Sequence, residues 1–403
     1  MNIIDIPNFI STHITKRQSS LFEKDIEANK EILSKKIAGK SVLVIGGAGT
    51  IGSSYVKAIL KFKPGKLFVV DTNENGLTEL TRTLRSDANM FVPEDFRTYP
   101  MNFGDPVFRK MFLAEGPFDI VANFAAHKHV RSEKDKYSIE AMIDNNVFKA
   151  KEFLDLLVTK KPEHFFCVST DKAANPVNVM GASKKLMEET IMAYSNELQI
   201  TTARFANVAF SNGSLLAGYI ERLFQNQPIS CPADVQRFFV SPEESGQICM
   251  LACMLGNSGE IFFPKLAAEQ MAFFKDITID FFKASNRPIV ECKSDVEAKE
   301  KALTTKDGDP YPVYFFDTET SGEKLYEEFF TETDVVDQET FDSLGVIKNA
   351  RKLSREEINQ TILGLKDLMD SGDYDKTAIV GLLKKHLPDF AHIETGKSLD
   401  QKM

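Results

Sequence analysis

Asp171 and Lys172 stand side by side in Ser169-Thr170-Asp171-Lys172, directly after the apolar run Phe165-Phe166-Cys167-Val168. A short apolar run bounded by polar residues reads as a buried strand, so the strip falls at the strand's C-terminal end, where open α/β sheets bind ligands. A carboxyl group and an amine at that place can act as acid and base, but each role needs the protonation state that is unfavourable at neutral pH. Burial pushes both groups the required way and mutual proximity opposes it, so the two titrate as a coupled unit. The bland reading is a surface pair in a strand-to-loop turn. Met180 and Lys184 follow, one helical turn apart on one face. A thioether can neither take nor give a proton, so Met180 itself does no acid or base work. Met180 then either shapes the pocket or packs.

A second constellation, Gly46-Gly47-Ala48-Gly49-Thr50-Ile51-Gly52, follows the apolar run Ser41 to Ile45 and opens an amphipathic segment. Glycines at 46, 49 and 52 permit a tight turn, a close approach of backbone N–H groups to a diphosphate, and tight packing of a helix on the sheet, with the helix N-terminus facing the anion. Asp71 ends the next apolar run, where its carboxylate can accept from ribose hydroxyls. Its charge repels a 2′-phosphate, so NAD is the expected cofactor rather than NADP. Asp71 can also cap a helix beginning near Glu74.

These groups need a scaffold, and the hydrophobic pattern supplies one. Short apolar runs at Ser41 to Ile45, Leu67 to Val70, Arg97 to Met101, Ile120 to Phe124, Phe165 to Val168 and Thr201 to Phe205 alternate with amphipathic segments. Strands and helices at this spacing predict a Rossmann-like, doubly wound parallel α/β sheet. After Ala206 the alternation becomes irregular, which suits a smaller α/β substrate-binding region. The chain is therefore divided into a helical extension over 1–39, with a helix from Leu21 to Ile37, a dinucleotide-binding domain over 40–206, a mainly substrate-binding region over 207–340, and a C-terminal helical extension over 341–403. Ser354-Arg-Glu-Glu357 opens that last region as a capping box.

With these residues in place, the chain resembles the extended short-chain dehydrogenase/reductase family, and within it the bacterial UDP-N-acetylglucosamine 4,6-dehydratases of polysaccharide biosynthesis. The resemblance runs from about Lys40 to Phe329. It rests on the glycine loop, the Ser169–Lys172 strip with Met180-x-x-x-Lys184 where the family usually has Tyr-x-x-x-Lys, Ala125-Ala126-His127-Lys128-His129-Val130, Asn145-Asn146-Val147, Arg204-Phe205-Ala206-Asn207-Val208, Gly213-Ser214, Arg237-Phe238-Phe239 and Gly322-Glu323-Lys324-Leu325-Tyr326-Glu327-Glu328. It implies a lyase that oxidises C4 of the sugar, removes the C5 proton, expels the C6 hydroxyl as water and returns the hydride to C6. Asp171 is then the acid at C6, Lys172 the base at C5, and Lys184 a partner of the nicotinamide ribose, while Thr170 holds the C4 hydroxyl. The cofactor residues become Gly46, Gly49, Thr50, Ile51, Gly52, Asp71, Asn102, Ala125, Ala126, Asn146 and Lys184. Asn102 stands where the family often has Asp. The UDP-sugar falls to Lys128, His129, Asn207, Ser214, Arg237, Glu323 and Lys324, with His129 as readily structural. The family commonly pairs subunits through helices that correspond to Tyr137 to Thr159 and Ala182 to Glu197, so a homodimer or larger assembly is expected.

Composition narrows the alternatives. With 49 Lys and Arg against 58 Asp and Glu, the net charge is −9, and no long basic run invites nucleic acid or a membrane surface. No apolar run approaches the roughly 20 residues of a membrane helix, and the five cysteines form no Cys-x-x-Cys pair, so a soluble cytoplasmic protein with reduced thiols is expected. No His, Cys and Asp spacing suggests a metal. Two other readings stand beside the dehydratase: a nucleotide-sugar epimerase, which needs no acid/base pair aimed at C5 and C6, and a catalytically silent NAD- or nucleotide-sugar-binding protein, for which Met180 is the cue.

Overall fold

The apolar runs become strands β1 (Ser41–Ile45), β2 (Lys66–Asp71), β3 (Asp95–Pro100), β4 (Ile120–Asn123), β5 (His164–Val168) and β6 (Ile200–Ala203) in a computed structural model that describes residues 4–306, 308–318 and 327–394. They run parallel in the order β3-β2-β1-β4-β5-β6, and Glu260–Pro264 joins in parallel beside β6. β4 and β5 are buried along their whole length and β1 from Val42 onward, as a parallel sheet covered by helices on both faces requires. The order reverses between β1 and β4. The connections leaving those two strands therefore diverge, and a crevice opens at their C-terminal ends. This is the doubly wound sheet the periodicity predicts.

Beyond Ala206 the chain does two things at once. It builds a small parallel sheet of Ile229–Pro232, Tyr311–Phe316 and Ile289–Cys292 over a core of Tyr219, Phe281, Phe282, Tyr311 and Val313. It also returns to the large sheet with Glu260–Pro264 and then with the antiparallel pair Val336–Asp337 and Leu344–Ile347, completing nine strands among the described residues. The stretch 207–340 thus serves both layers, and the sheet continues past residue 341.

The single helix expected over Leu21 to Ile37 is two, Glu23–Ala28 and Lys30–Ile37, and the shorter helical segments Ile6–Phe9 and Ile10–Ile14 precede them. Asn29 breaks the run: its side chain donates to the Asp25 carbonyl and its own backbone leaves the helical region. Phe22, Leu33 and Ile37 are nonetheless buried in the main core, and the Asp25 carboxylate accepts from the backbone N–H groups of Asp342 and Ser343.

At the other end, Ser354 and Glu357 make the expected capping box on the helix Arg355–Asp370, which is followed by Lys376–His386. Ile358, Ile362, Leu365, Ile379 and Leu383 of this pair pack on Ile139, Ile143, Val147, Val179, Ala182 and Leu186. Arg355 pairs with Asp155 and Glu197 at 2.9 Å each. The helices to which the resemblance assigns subunit pairing are therefore covered on this face by the chain's own C-terminal helices.

Candidate active site

The glycine loop is a cradle by steric necessity. Gly46 has φ +74°, and a Cβ there would lie 2.5 Å from the Ala125 nitrogen; at Gly52 it would lie 2.2 Å from the Gly46 oxygen. Gly49 differs, with only the Gly46 oxygen at 3.5 Å, so its missing side chain leaves room on the cleft side. Helix Thr50–Leu60 begins there, and Gly49 offers its first N–H groups no side-chain cap. Unsatisfied N–H groups at a helix N-terminus, beside open space, form an anion site.

Gly46, Gly49, Thr50, Ile51, Gly52, Asp71, Asn102, Ala125 and Ala126 all line this crevice. Asp71 reaches into the loop: one carboxylate oxygen accepts from Ala48 N at 2.9 Å and the other from Asn73 N at 2.9 Å. Asn73, not Asp71, caps the following helix by accepting from Gly76 N, so Asp71 is left as the loop's acidic wall. Asn102 accepts from Gly104 N at 2.8 Å. Asn146 plays a different part from the one expected. It is buried behind the wall, its amide accepting from His127 N and donating to the His127 carbonyl and to Ser183 Oγ, while its neighbour Asn145 lines the crevice.

The crevice continues past Ile51, Phe124, Ala126 and Lys128, which line both halves, to a second chamber at the end of β5. Thr170, Asp171, Lys172, Met180, Lys184, Lys128, His129, Asn207 and Ser214 line it. Asp171 is 5% exposed, and its Oδ1 accepts from Thr170 Oγ1 at 2.8 Å, from Lys172 N at 2.8 Å and from Lys172 Nζ at 3.0 Å. Lys172 Nζ also lies 3.7 Å from Oε1 of Glu327, which in turn stands 4.0 Å from Arg237 Nη2. Burial alone would drive the Lys172 amine toward neutrality, but Asp171 and Glu327 outweigh it and hold the proton more tightly than an ordinary lysine does.

Helix Val179–Met192 forms the chamber's inner wall, capped by Asn178, which accepts from Gly181 N at 2.7 Å. Met180 is buried on it. Lys184 donates to the Val168 carbonyl at 2.6 Å, and burial lowers its proton affinity. Ser214 caps helix Leu215–Phe224, Lys128 donates to the Asn212 carbonyl at 3.2 Å, and His129 packs against Gly213. Arg237 is buried beside Glu327, with one nitrogen donating to the Gln236 carbonyl. Glu323 and Lys324 lie outside the described residues.

Two buried residues beneath the strip, Glu188 and Arg204, are given no role in the sequence reading. Ser169 donates to Glu188 at 2.6 Å, and Glu188 forms a two-point pair with Arg204, Nε at 2.9 Å and Nη2 at 2.7 Å, with both side chains at most 2% exposed. Arg204 also donates to the Phe329 carbonyl, binding β6 and the segment behind Glu327 to the Ser169–Lys172 strip. Glu188 lies one helical turn beyond Lys184, which is the signal that could have found it. Elsewhere, all five cysteines are buried free thiols, and burial pushes Cys167 up to about 11 and Cys253 up to about 12. Among the described residues, no group of three His, Cys, Asp or Glu side chains is placed to hold a metal ion, and no helix is long and apolar enough to cross a membrane.

Comparison with known proteins places this arrangement. The polysaccharide biosynthesis protein family model matches residues 42–349. An uncharacterized membrane protein of Methanocaldococcus jannaschii is 30% identical over 316 residues, covering 76% of this chain and 85% of that one. A UDP-N-acetylglucosamine 4,6-dehydratase (inverting) of Campylobacter jejuni is 27% identical, covering 57% and 67%, and a UDP-glucose 4-epimerase of Rickettsia canadensis is 25% identical, covering 81% and 96%. The chain spans only 41% and 50% of two longer relatives, the probable polysaccharide biosynthesis protein EpsC of Bacillus subtilis and the capsular polysaccharide biosynthesis protein CapD of Staphylococcus aureus. Among solved structures, Pen from Bacillus thuringiensis shares the fold, with a TM-score of 0.62 at 23% identity over 81% of this chain and 98% of that one.

Proposed function

The chain belongs to the polysaccharide biosynthesis protein family, within the extended short-chain dehydrogenases/reductases, and from that premise we propose that it dehydrates UDP-N-acetylglucosamine to a UDP-4-keto-6-deoxy-N-acetylhexosamine. The observation that carries the reading is the contact of 3.0 Å between Asp171 and Lys172 at the end of β5, on the wall of a crevice whose other half is the glycine cradle.

The cradle fits NAD. Gly46 and Gly52 admit no Cβ, the space beside Gly49 is open, and the uncapped N-terminus of Thr50–Leu60 suits a diphosphate. Asp71 favours ribose hydroxyls over a 2′-phosphate. NAD bound there supplies a reversible hydride acceptor, and a turnover without net redox change leaves it in place.

The chain's own residues then handle protons. Thr170 Oγ1, already hydrogen-bonded to Asp171, holds the C4 hydroxyl, whose proton leaves to water as C4 is oxidised. Once C4 is a ketone, the C5–H bond is acidified; Lys172 Nζ takes that proton, the C6–O bond breaks, and Asp171 gives the proton that lets the hydroxyl leave as water, after which hydride returns to C6 and Lys172 gives a proton back to C5. The pair needs one mobile proton on the carboxyl rather than the amine. Water exclusion by the bound sugar favours this neutral arrangement, because a low dielectric penalises two charges more than two dipoles. Glu327 works against it by stabilising the ammonium. Asn207, Ser214 and Arg237 are assigned to the UDP portion, and Lys128 and His129 to the sugar at the mouth.

Incubating the protein with UDP-N-acetylglucosamine in D₂O and following the product by NMR tests this. A C6 methyl group with deuterium at C5 supports the proposal, and the same spectrum assigns the C5 configuration. The similarity to a UDP-glucose 4-epimerase over 96% of its length favours epimerisation as the second reading, which isomerised sugar without loss of water would establish. Binding without turnover would leave a silent binding protein.

A further inference from the structure

The helix that carries Met180 and Lys184 is gripped from outside the crevice by the end of the chain. Glu133, only 5% exposed, directs Oε2 at the backbone N–H of Val179, the first residue of that helix, at 2.6 Å. Its Oε1 lies 2.7 Å from His392 Nε2 and 3.2 Å from Lys376 Nζ. Beside this contact the chain's last described stretch runs along the loop between Lys172 and the helix, with Ala391 N donating to the Pro176 carbonyl at 3.1 Å and Ile393 N to the Val177 carbonyl at 2.9 Å. The two helices preceding that stretch cover Val179, Ala182 and Leu186. Among the described residues of this arm, none lines either half of the crevice.

We propose that Glu133 is a positioning residue for the reaction: it joins the arm of residues 354–394 to the first turn of helix Val179–Met192, and so fixes where that helix meets Lys172. Two arguments carry it. A carboxylate withdrawn from water costs several kcal/mol unless paired, and apolar packing of the arm needs no such group, yet this one serves a helix N-terminus and two side chains from the arm at once. The grip is also transmitted without slack. A Cβ on Gly181, two residues into the helix, would lie 2.6 Å from the Lys172 carbonyl oxygen, so helix and strip are in backbone contact, and a displacement of Val179 displaces the acid/base pair.

The kinetic arm of the test rests on the dehydratase reading and the exchange arm does not. Glu133→Ala removes both functions, Glu133→Gln keeps an acceptor for Val179 N but loses the charge, and His392→Ala loosens the tail alone. In the full-length protein with UDP-N-acetylglucosamine, Glu133→Ala is expected to lower kcat at least about 10-fold while KM and bound NAD stay within about 2-fold, because misplacement affects the transition state more than binding. Glu133→Gln should recover most of that loss and His392→Ala should fall between. Amide exchange across residues 179–184, read by mass spectrometry, should rise about 10-fold in Glu133→Ala and His392→Ala while β1 stays protected. Wild-type kcat in both of those variants overturns the proposal, as does loss of KM and NAD binding in step with kcat. If Glu133→Ala does not fold, His392→Ala decides. If the wild-type protein dehydrates nothing, the dehydratase reading has failed by itself, and exchange decides here: unchanged protection at 179–184 in His392→Ala sinks the positioning role, and faster exchange upholds it.

Discussion

Lys172 Nζ lies 3.7 Å from Glu327 Oε1, so the amine beside Asp171 faces a second carboxylate brought in from far along the chain. Burial favours the neutral amine, yet the two anions prevail and Lys172 keeps its proton above the ordinary lysine range. The reaction needs that proton to pass to Asp171 rather than leave the pair, so kcat should fall on its alkaline limb as the pair loses it. Glu327→Gln removes one anion, which lowers the proton affinity of Lys172 and should shift that limb to lower pH. A limb that stays in place or moves to higher pH would show that Lys172 is not the titrating base.

Lys172→Ala and Asp171→Asn should each reduce dehydration by about 10²- to 10⁴-fold, the usual range for a lost general acid or base, while the protein still binds NAD. Stopped assays of product formation, paired with the absorbance of released cofactor, check both halves. Near-normal turnover in both variants would remove the strip from the mechanism.

Gly52→Ala puts a Cβ 2.2 Å from the Gly46 oxygen, a contact that only backbone movement can relieve. We expect a loss of about 1–3 kcal/mol of stability together with weaker NAD binding, measurable by denaturant titration and isothermal calorimetry. Gly49→Ala, with open space, should spare stability and act on NAD binding alone.

Glu188 and Arg204 form a buried pair, and removing one member leaves the other charge uncompensated. Glu188→Ala should therefore destabilise the protein by about 3–5 kcal/mol. Burial raises the proton affinity of the Glu188 carboxyl, but Arg204 more than reverses this and leaves it below the ordinary glutamate range. Its contribution to stability is present above that ordinary range and is lost as pH falls through it and down to the lowered folded value. Urea midpoints at decreasing pH should fall more steeply for the wild type than for Glu188→Gln.

Much of this architecture is visible in the chain itself because the physics is local. Apolar runs of strand length alternate with amphipathic segments, and a glycine loop marks the strand-to-helix turn, so sheet and cradle follow from periodicity and steric need. Asn29 splits a predicted helix because a side-chain amide competes for the backbone, which an apolar stripe does not report. Glu327 shares the run Gly322 to Glu328 with Glu323 and Lys324, but only the fold can show which carboxylate reaches Lys172. The resemblance assigns Asn146 to the cofactor, yet on a helix adjacent residues face different ways, and the amide of Asn146 is spent on His127 and Ser183. The stripe of Ile358, Ile362 and Leu365 announces a helix with an apolar face without naming the surface it will cover.

That surface is closed by the same polypeptide, through the short connection from Ile347 to Ser354. A cover held on so short a tether experiences a local concentration on the order of millimolar. Dilution cannot strip it away, so the packing behind Lys184 is the same in a nanomolar assay as in a crowded cell, and only a change in the chain itself can open it.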